Sequence, residues 1–65
     1  MKFLSAKDLK EMIPTIGINQ CREIIKKAKE LQEREGFYKL ETKTIIALEE
    51  YVERILRGEQ YERKD

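Results

Sequence analysis

The chain has 65 residues, of which 42% are charged and 40% apolar, with one proline and three glycines. A chain this short hides a smaller share of its surface than a large domain does, so it has room for one thin core but not for a deep substrate cleft as well. Fourteen Lys/Arg against thirteen Asp/Glu leave a net charge of +1, and histidine is absent, which removes the usual proton carrier near neutral pH and the commonest metal ligand.

An enzyme is therefore not expected, nor is a cofactor or a metal. The single cysteine, Cys21, has no partner for an internal disulfide or a cysteine zinc site, and a reducing compartment suits it. The first five residues run straight into charged ones without a signal-peptide pattern. No apolar stretch approaches the ~20 residues of a membrane span. The expectation is a cytoplasmic protein that makes no membrane contact. Charge is uneven along the chain: residues 1–40 hold nine Lys/Arg against six Asp/Glu, and residues 41–65 hold five against seven. A nearly neutral protein with a basic half can still present one face to a phosphate backbone, although such charges also serve simply to solvate a small domain.

In chain order, Ser5 is a preferred N-cap, and Asp8 three residues later makes an acidic capping box. Leu4 and Leu9 suit a hydrophobic staple across that start. Ala6, Leu9, Met12 and Ile13 share one stripe, and Pro14 stops the helix because it disfavours helical geometry before it and has no N–H. Thr15-Ile16-Gly17 is a tight connection. A second helix follows, with Gly17 or Asn19 as its N-cap and with Cys21, Ile24, Ile25, Ala28 and Leu31 on a 3.6-residue period. It runs about eighteen residues to Gly36 in the C′ position. Two helices joined by a short Gly-containing turn form a helix-turn-helix unit.

Phe37-Tyr38-Lys39-Leu40 is β-prone, and Lys43-Thr44-Ile45 is placed to pair with it as a minimal hairpin. A third helix is expected from near Thr44. Its apolar seam is Ile45, Leu48, Val52, Ile55 and Leu56, and Gly58 closes it. Residues 59–65 lack an apolar period and read as a flexible C-terminal tail after one domain over 1–58. The expected core is Leu9, Met12, Cys21, Ile24, Ile25, Ala28, Leu48, Val52 and Ile55.

The order helix, short turn, helix, hairpin, helix resembles the MerR-like winged-helix domain of phage excisionases. Thr15-Ile16-Gly17 occupies the position of that group's turn, and Cys21, Ile24 and Ile25 fall at its apolar helical positions. The run Thr44-Ile45-Ile46-Ala47-Leu48-Glu49-Glu50-Tyr51-Val52 is similar to its wing followed by a Leu-Glu-Glu-Tyr helix. Ile24-Ile25-Lys26-Lys27-Ala28-Lys29 followed by Gly36-Phe37-Tyr38 also resembles a small family on Gram-positive mobile elements. The likeness spans roughly residues 3–57, through short and degenerate motifs. The second helix is longer than the group's recognition helix, and the wing lacks its Gly-Arg tip. The fold implied is mainly α, a helix-turn-helix with a minimal β-hairpin wing and a third helix.

On a helical wheel the apolar arc of the second helix leaves Asn19, Arg22, Glu23, Lys26 and Glu30 on the opposite face, flanked by Gln20, Lys27 and Lys29. The first turns of the second helix reach base edges in a helix-turn-helix, so Asn19, Gln20, Arg22, Glu23 and Lys26 are the candidate base readers. Their chemistry fits: Arg pairs with guanine, Asn or Gln with adenine, and a carboxylate with cytosine. Lys27, Lys29, Lys39 and Lys43 are the phosphate candidates. A plain solvated face, with Glu23 and Lys27 as an ordinary i, i+4 pair, is the simpler alternative. Cys21 reads as a small core residue rather than a redox switch, and Phe37 as a core closer rather than a base-stacking platform.

The function expected is a small sequence-specific DNA-binding protein of a phage or mobile element, an excisionase or a transcription regulator. Its partners would be double-stranded DNA and a protein such as an integrase or a repressor, with cooperative self-association on the DNA. The rival is a protein-interaction module, an antirepressor or inhibitor, working through the third helix with its acidic stripe Glu49, Glu50 and Glu53.

Overall fold

In a computed structural model of the chain, residues 2–37, 39 and 41–58 are described. The elements run β1 (Phe3–Ser5), α1 (Ala6–Met12), α2 (Ile18–Arg34), β2 (Ile46–Leu48) and α3 (Glu49–Leu56). The fold is mainly helical, with one small antiparallel sheet. No helix among the described residues is long and apolar enough to cross a membrane.

Each strand feeds directly into a helix. Ser5 ends β1 and caps α1: its hydroxyl accepts from the Asp8 N–H at 3.2 Å, and the Asp8 carboxylate accepts from the Ser5 N–H at 3.0 Å. This is the capping box expected from the sequence. Leu4 and Leu9, flanking it, are both buried. The chain leaves α1 at Ile13, ahead of Pro14. The Lys10 ammonium then ties the turn by donating to the Pro14 carbonyl at 2.8 Å and to the Ile16 carbonyl.

Gly17 is the N-cap of α2 and supplies no side-chain bond. The other end is closed by a Schellman motif. The Phe37 N–H donates to the Gln32 carbonyl and the Gly36 N–H to the Glu33 carbonyl. Gly36 sits at φ 100°, where any side chain would be strained. Gly58 takes the corresponding place after α3 at φ 92°, its N–H donating to the Ile55 carbonyl.

The sheet differs from expectation. It is not a hairpin between 37–40 and 43–45; Tyr38 and Leu40 lie outside the described residues, and Lys43 to Ile45 form no strand. Instead β2 pairs with the N-terminal β1, in the register Phe3 with Leu48, Leu4 with Ala47 and Ser5 with Ile46. The Glu49 N–H extends this ladder to the Lys2 carbonyl at 2.9 Å. The third helix accordingly starts at Glu49 rather than near Thr44. The β-branched Thr44-Ile45-Ile46 run favours extended backbone, and Ser5, 41 residues away in sequence, pairs with its end. With no side-chain cap at Leu48, the carboxylates of Glu49 and Glu50 complement the positive end of the α3 dipole.

The core is Leu4, Leu9, Cys21, Ile25, Ala28, Ala47 and Val52, with Ile13, Ile16, Ile24, Tyr51 and Ile55 packed around it. Leu31 and Leu48 are buried as well. Cys21 is a fully buried free thiol, as a core cysteine should be. Of the expected core, Met12 is an error. It ends α1 and is 50% exposed. Ile45 and Leu56, read as seam residues, are also exposed. Ile45 precedes both β2 and α3, so a helical phase does not apply to it. The tail 59–65 lies outside the described residues.

Candidate nucleic-acid interface

The polar face of α2 is where the wheel put it. Asn19, Gln20, Arg22, Glu23, Lys26 and Lys27 are exposed, while Cys21, Ile25 and Ala28 on the other side are buried. The same 3.6-residue period produces both faces. The Arg22 guanidinium donates to the Asn19 Oδ1 at 3.0 Å, so two of the candidate base readers hold each other one turn apart. Lys29, a phosphate candidate, is half-buried and paired with Glu33 at 2.8 Å. Its ammonium must leave that carboxylate to reach another anion. The Glu23–Lys27 pair of the simpler alternative does not form, whereas Lys29 and Glu33 make an i, i+4 ion pair.

Beside this face runs a cleft of about 350 Å³. It is lined by α2, through Arg22, Glu23, Ile25 and Lys26, and by Ala6 at the start of α1. Thr44 and Ile45 complete the lining. The Thr42 hydroxyl donates to the Thr44 carbonyl, which folds the chain back over Lys43. Lys43 and Lys39 are exposed on this connection. The structure thus brings Arg22 and Lys26 together with the segment that carries Lys43. Thr44 and Ile45 were not among the candidate residues. A segment whose position depends on the distant β1–β2 pairing leaves no local signal of which helix it will face.

The far end of α2 is anchored. Gln32, completely buried, accepts the Leu48 N–H on its Oε1 at 2.9 Å. Glu35 receives both arms of Arg54, at 3.0 and 2.9 Å, and the Tyr51 hydroxyl at 3.3 Å. The Arg54 hydrogen bonds hold the Glu35 carboxyl below the usual carboxylate range. Desolvation, and then the Glu35 charge, push the Tyr51 hydroxyl above its ordinary value. The half-buried Phe37 ring packs 6.1 Å from that of Phe3, outside the central core cluster; Tyr38 lies outside the described residues. The α3 carboxylates Glu50 and Glu53 are exposed and Glu49 half-buried, and none lines the α2 cleft.

Set against protein-family models, curated proteins and solved structures, the chain matches none.

Proposed function

We propose that this protein binds double-stranded DNA in a sequence-dependent way, as a small winged helix-turn-helix of the excisionase or transcription-regulator kind. Its DNA would belong to a phage or other mobile element. On this reading α2 enters the major groove by its N-terminal turns, and Lys39 and residues 41–45, which form no hairpin, serve in place of a wing. The supporting observation is the shared cleft: the exposed polar face of α2, with Arg22, Glu23 and Lys26, and the Thr44–Ile45 segment line it together. An α-helix fits the major groove, whose base edges display donors, acceptors and the thymine methyl. The flanking Lys43 and Lys39 suit contacts to phosphates.

The test compares two substitutions on selected and random duplexes across a salt titration. Arg22→Ala should cost about 1–3 kcal/mol at the selected site and relax discrimination at one base pair. Lys43→Ala should weaken both duplexes alike and lower the salt slope by about one unit. Equal loss on both duplexes for Arg22→Ala removes it as a base reader. If neither change matters while Glu53→Lys abolishes activity in the cell, α3 is the working surface and the chain is a protein-interaction module.

A further inference from the structure

Ile45 is 47% exposed, although a large aliphatic side chain gains by burial. Scattered exposed apolar residues need no explanation on their own. This one differs by its surroundings, because it lines the cleft that also holds Arg22 and Lys26. The apolar lining there is Ile45, Ala6 and the buried Ile25, while the α2 side carries two cations and the Glu23 carboxylate. A surface that only gripped phosphates would gain nothing from an aliphatic wall next to its cations. In the major groove the one apolar group on a base edge is the 5-methyl of thymine; cytosine carries hydrogen there.

We infer that Ile45 is a specificity-determining residue that packs against a thymine methyl while Arg22 and Lys26 engage the neighbouring base edge and phosphate. This rests on the proposed major-groove placement of α2 and adds to it a named base preference. Arg22 is braced by Asn19 toward the helix N-terminus. Ile45 lines the same cleft from a separate segment, so on this inference the two side chains meet adjacent positions of the duplex rather than the same one.

The experiment begins with duplexes enriched by the full chain from a random-sequence pool. Each thymine in the enriched site is then replaced singly by deoxyuridine, which removes only the methyl. Wild-type protein should lose about fourfold in affinity at one or two positions, the effect of one buried methyl-sized group. Ile45→Ala should bind the thymine and deoxyuridine duplexes equally at those positions, while Ile45→Val keeps most of the difference. Ile45 is 47% exposed, so both variants should keep the wild-type circular dichroism spectrum, Ile45→Ala with a modestly lower unfolding midpoint, and affinities are compared where each variant is fully folded. A methyl effect of the same size in wild type and Ile45→Ala overturns the inference, as does the absence of any sensitive thymine. Enrichment with Arg22-dependent discrimination but no methyl effect leaves the DNA-binding reading standing and removes Ile45 alone. No enrichment and no binding at low salt defeat both.

Discussion

Exchanging Gln32 for Glu alters one terminal group in the most enclosed polar side chain among the described residues. Gln32 is 0% exposed. Its orientation is set by the Leu48 N–H, which needs an acceptor and finds Oε1 at 2.9 Å. The amide Nε2 then finds no acceptor among the described residues. Gln32→Glu keeps the bond to Leu48 and puts a second oxygen where no donor waits. A charge there would be desolvated, and it would lie two residues from the α2 C-terminus, the negative end of the helix dipole. Both effects favour the protonated acid. Buried carboxyls rise by about 3 units or more above the usual ~4.3. With the folded pKa raised, the folded state binds the extra proton. The variant therefore matches wild type most closely below about pH 4 and loses roughly 1.4 kcal/mol per pH unit above that, until the folded pKa is reached. A three-unit shift makes the loss about 4 kcal/mol at neutral pH, close to the whole stability of a small domain. Urea unfolding of both proteins followed by circular dichroism between pH 4 and 7 gives the difference directly, because other titrations cancel. A difference that stays constant over that range refutes the reasoning: the second oxygen would then be meeting water or a donor.

Ser5→Ala removes the acceptor for the Asp8 N–H and should cost about 1 kcal/mol in urea unfolding; Ser5→Thr should recover most of it. Glu35→Gln tests the anchor between α2 and α3. Because Arg54 lowers the Glu35 pKa, ionised Glu35 stabilises the fold above the usual carboxylate range, and that contribution disappears as pH falls through the lowered value. Wild type should thus exceed Glu35→Gln in stability at neutral pH, with the two converging in acid; a gap that persists in acid would mean the ion pair is not its source.

What was legible in the sequence was local. Ser5 with Asp8, Pro14, and glycines 36 and 58 mark the ends of helices by short-range chemistry, and each mark coincides with an end observed. The α2 face was legible because seventeen residues give the 3.6 period several repeats. The sheet was not, because two three-residue strands have no period to read and their pairing joins residues 41 to 45 apart. Ile45, Leu48 and Val52 sit three and four apart and mimic a helical seam, so β2 was absorbed into α3. Gln32 left a readable sign: it lies four residues after Ala28 and seven after Ile25, which puts it on the buried side of α2. Its polarity concealed its role as the link to β2. Lys10, counted only as charge, is held by the carbonyls of the turn it closes.

The proposed binding surface and the anchors occupy opposite ends of one helix. Asn19, Arg22 and Lys26 lie in the N-terminal half of α2; Gln32 and Glu35, the residues that fasten it to β2 and α3, lie at and just past its C-terminal end. From Asn19 to Gln32 is thirteen residues, or about 20 Å at ~1.5 Å per residue. Sites that far apart, without shared partners, are expected to act additively. Damage to the anchor should therefore lower the folded fraction and reduce binding to every duplex by one factor, leaving the ratio between duplexes unchanged. Damage to the α2 face should change that ratio and leave the unfolding midpoint alone. Combining Glu35→Gln with Arg22→Ala asks whether this holds. Additive effects on stability and discrimination support a rigid helix that presents its side chains from a fixed base. A change in discrimination from Glu35→Gln alone would mean that the anchor sets the pose of the reading face, and the separation drawn between the two ends of α2 would be wrong.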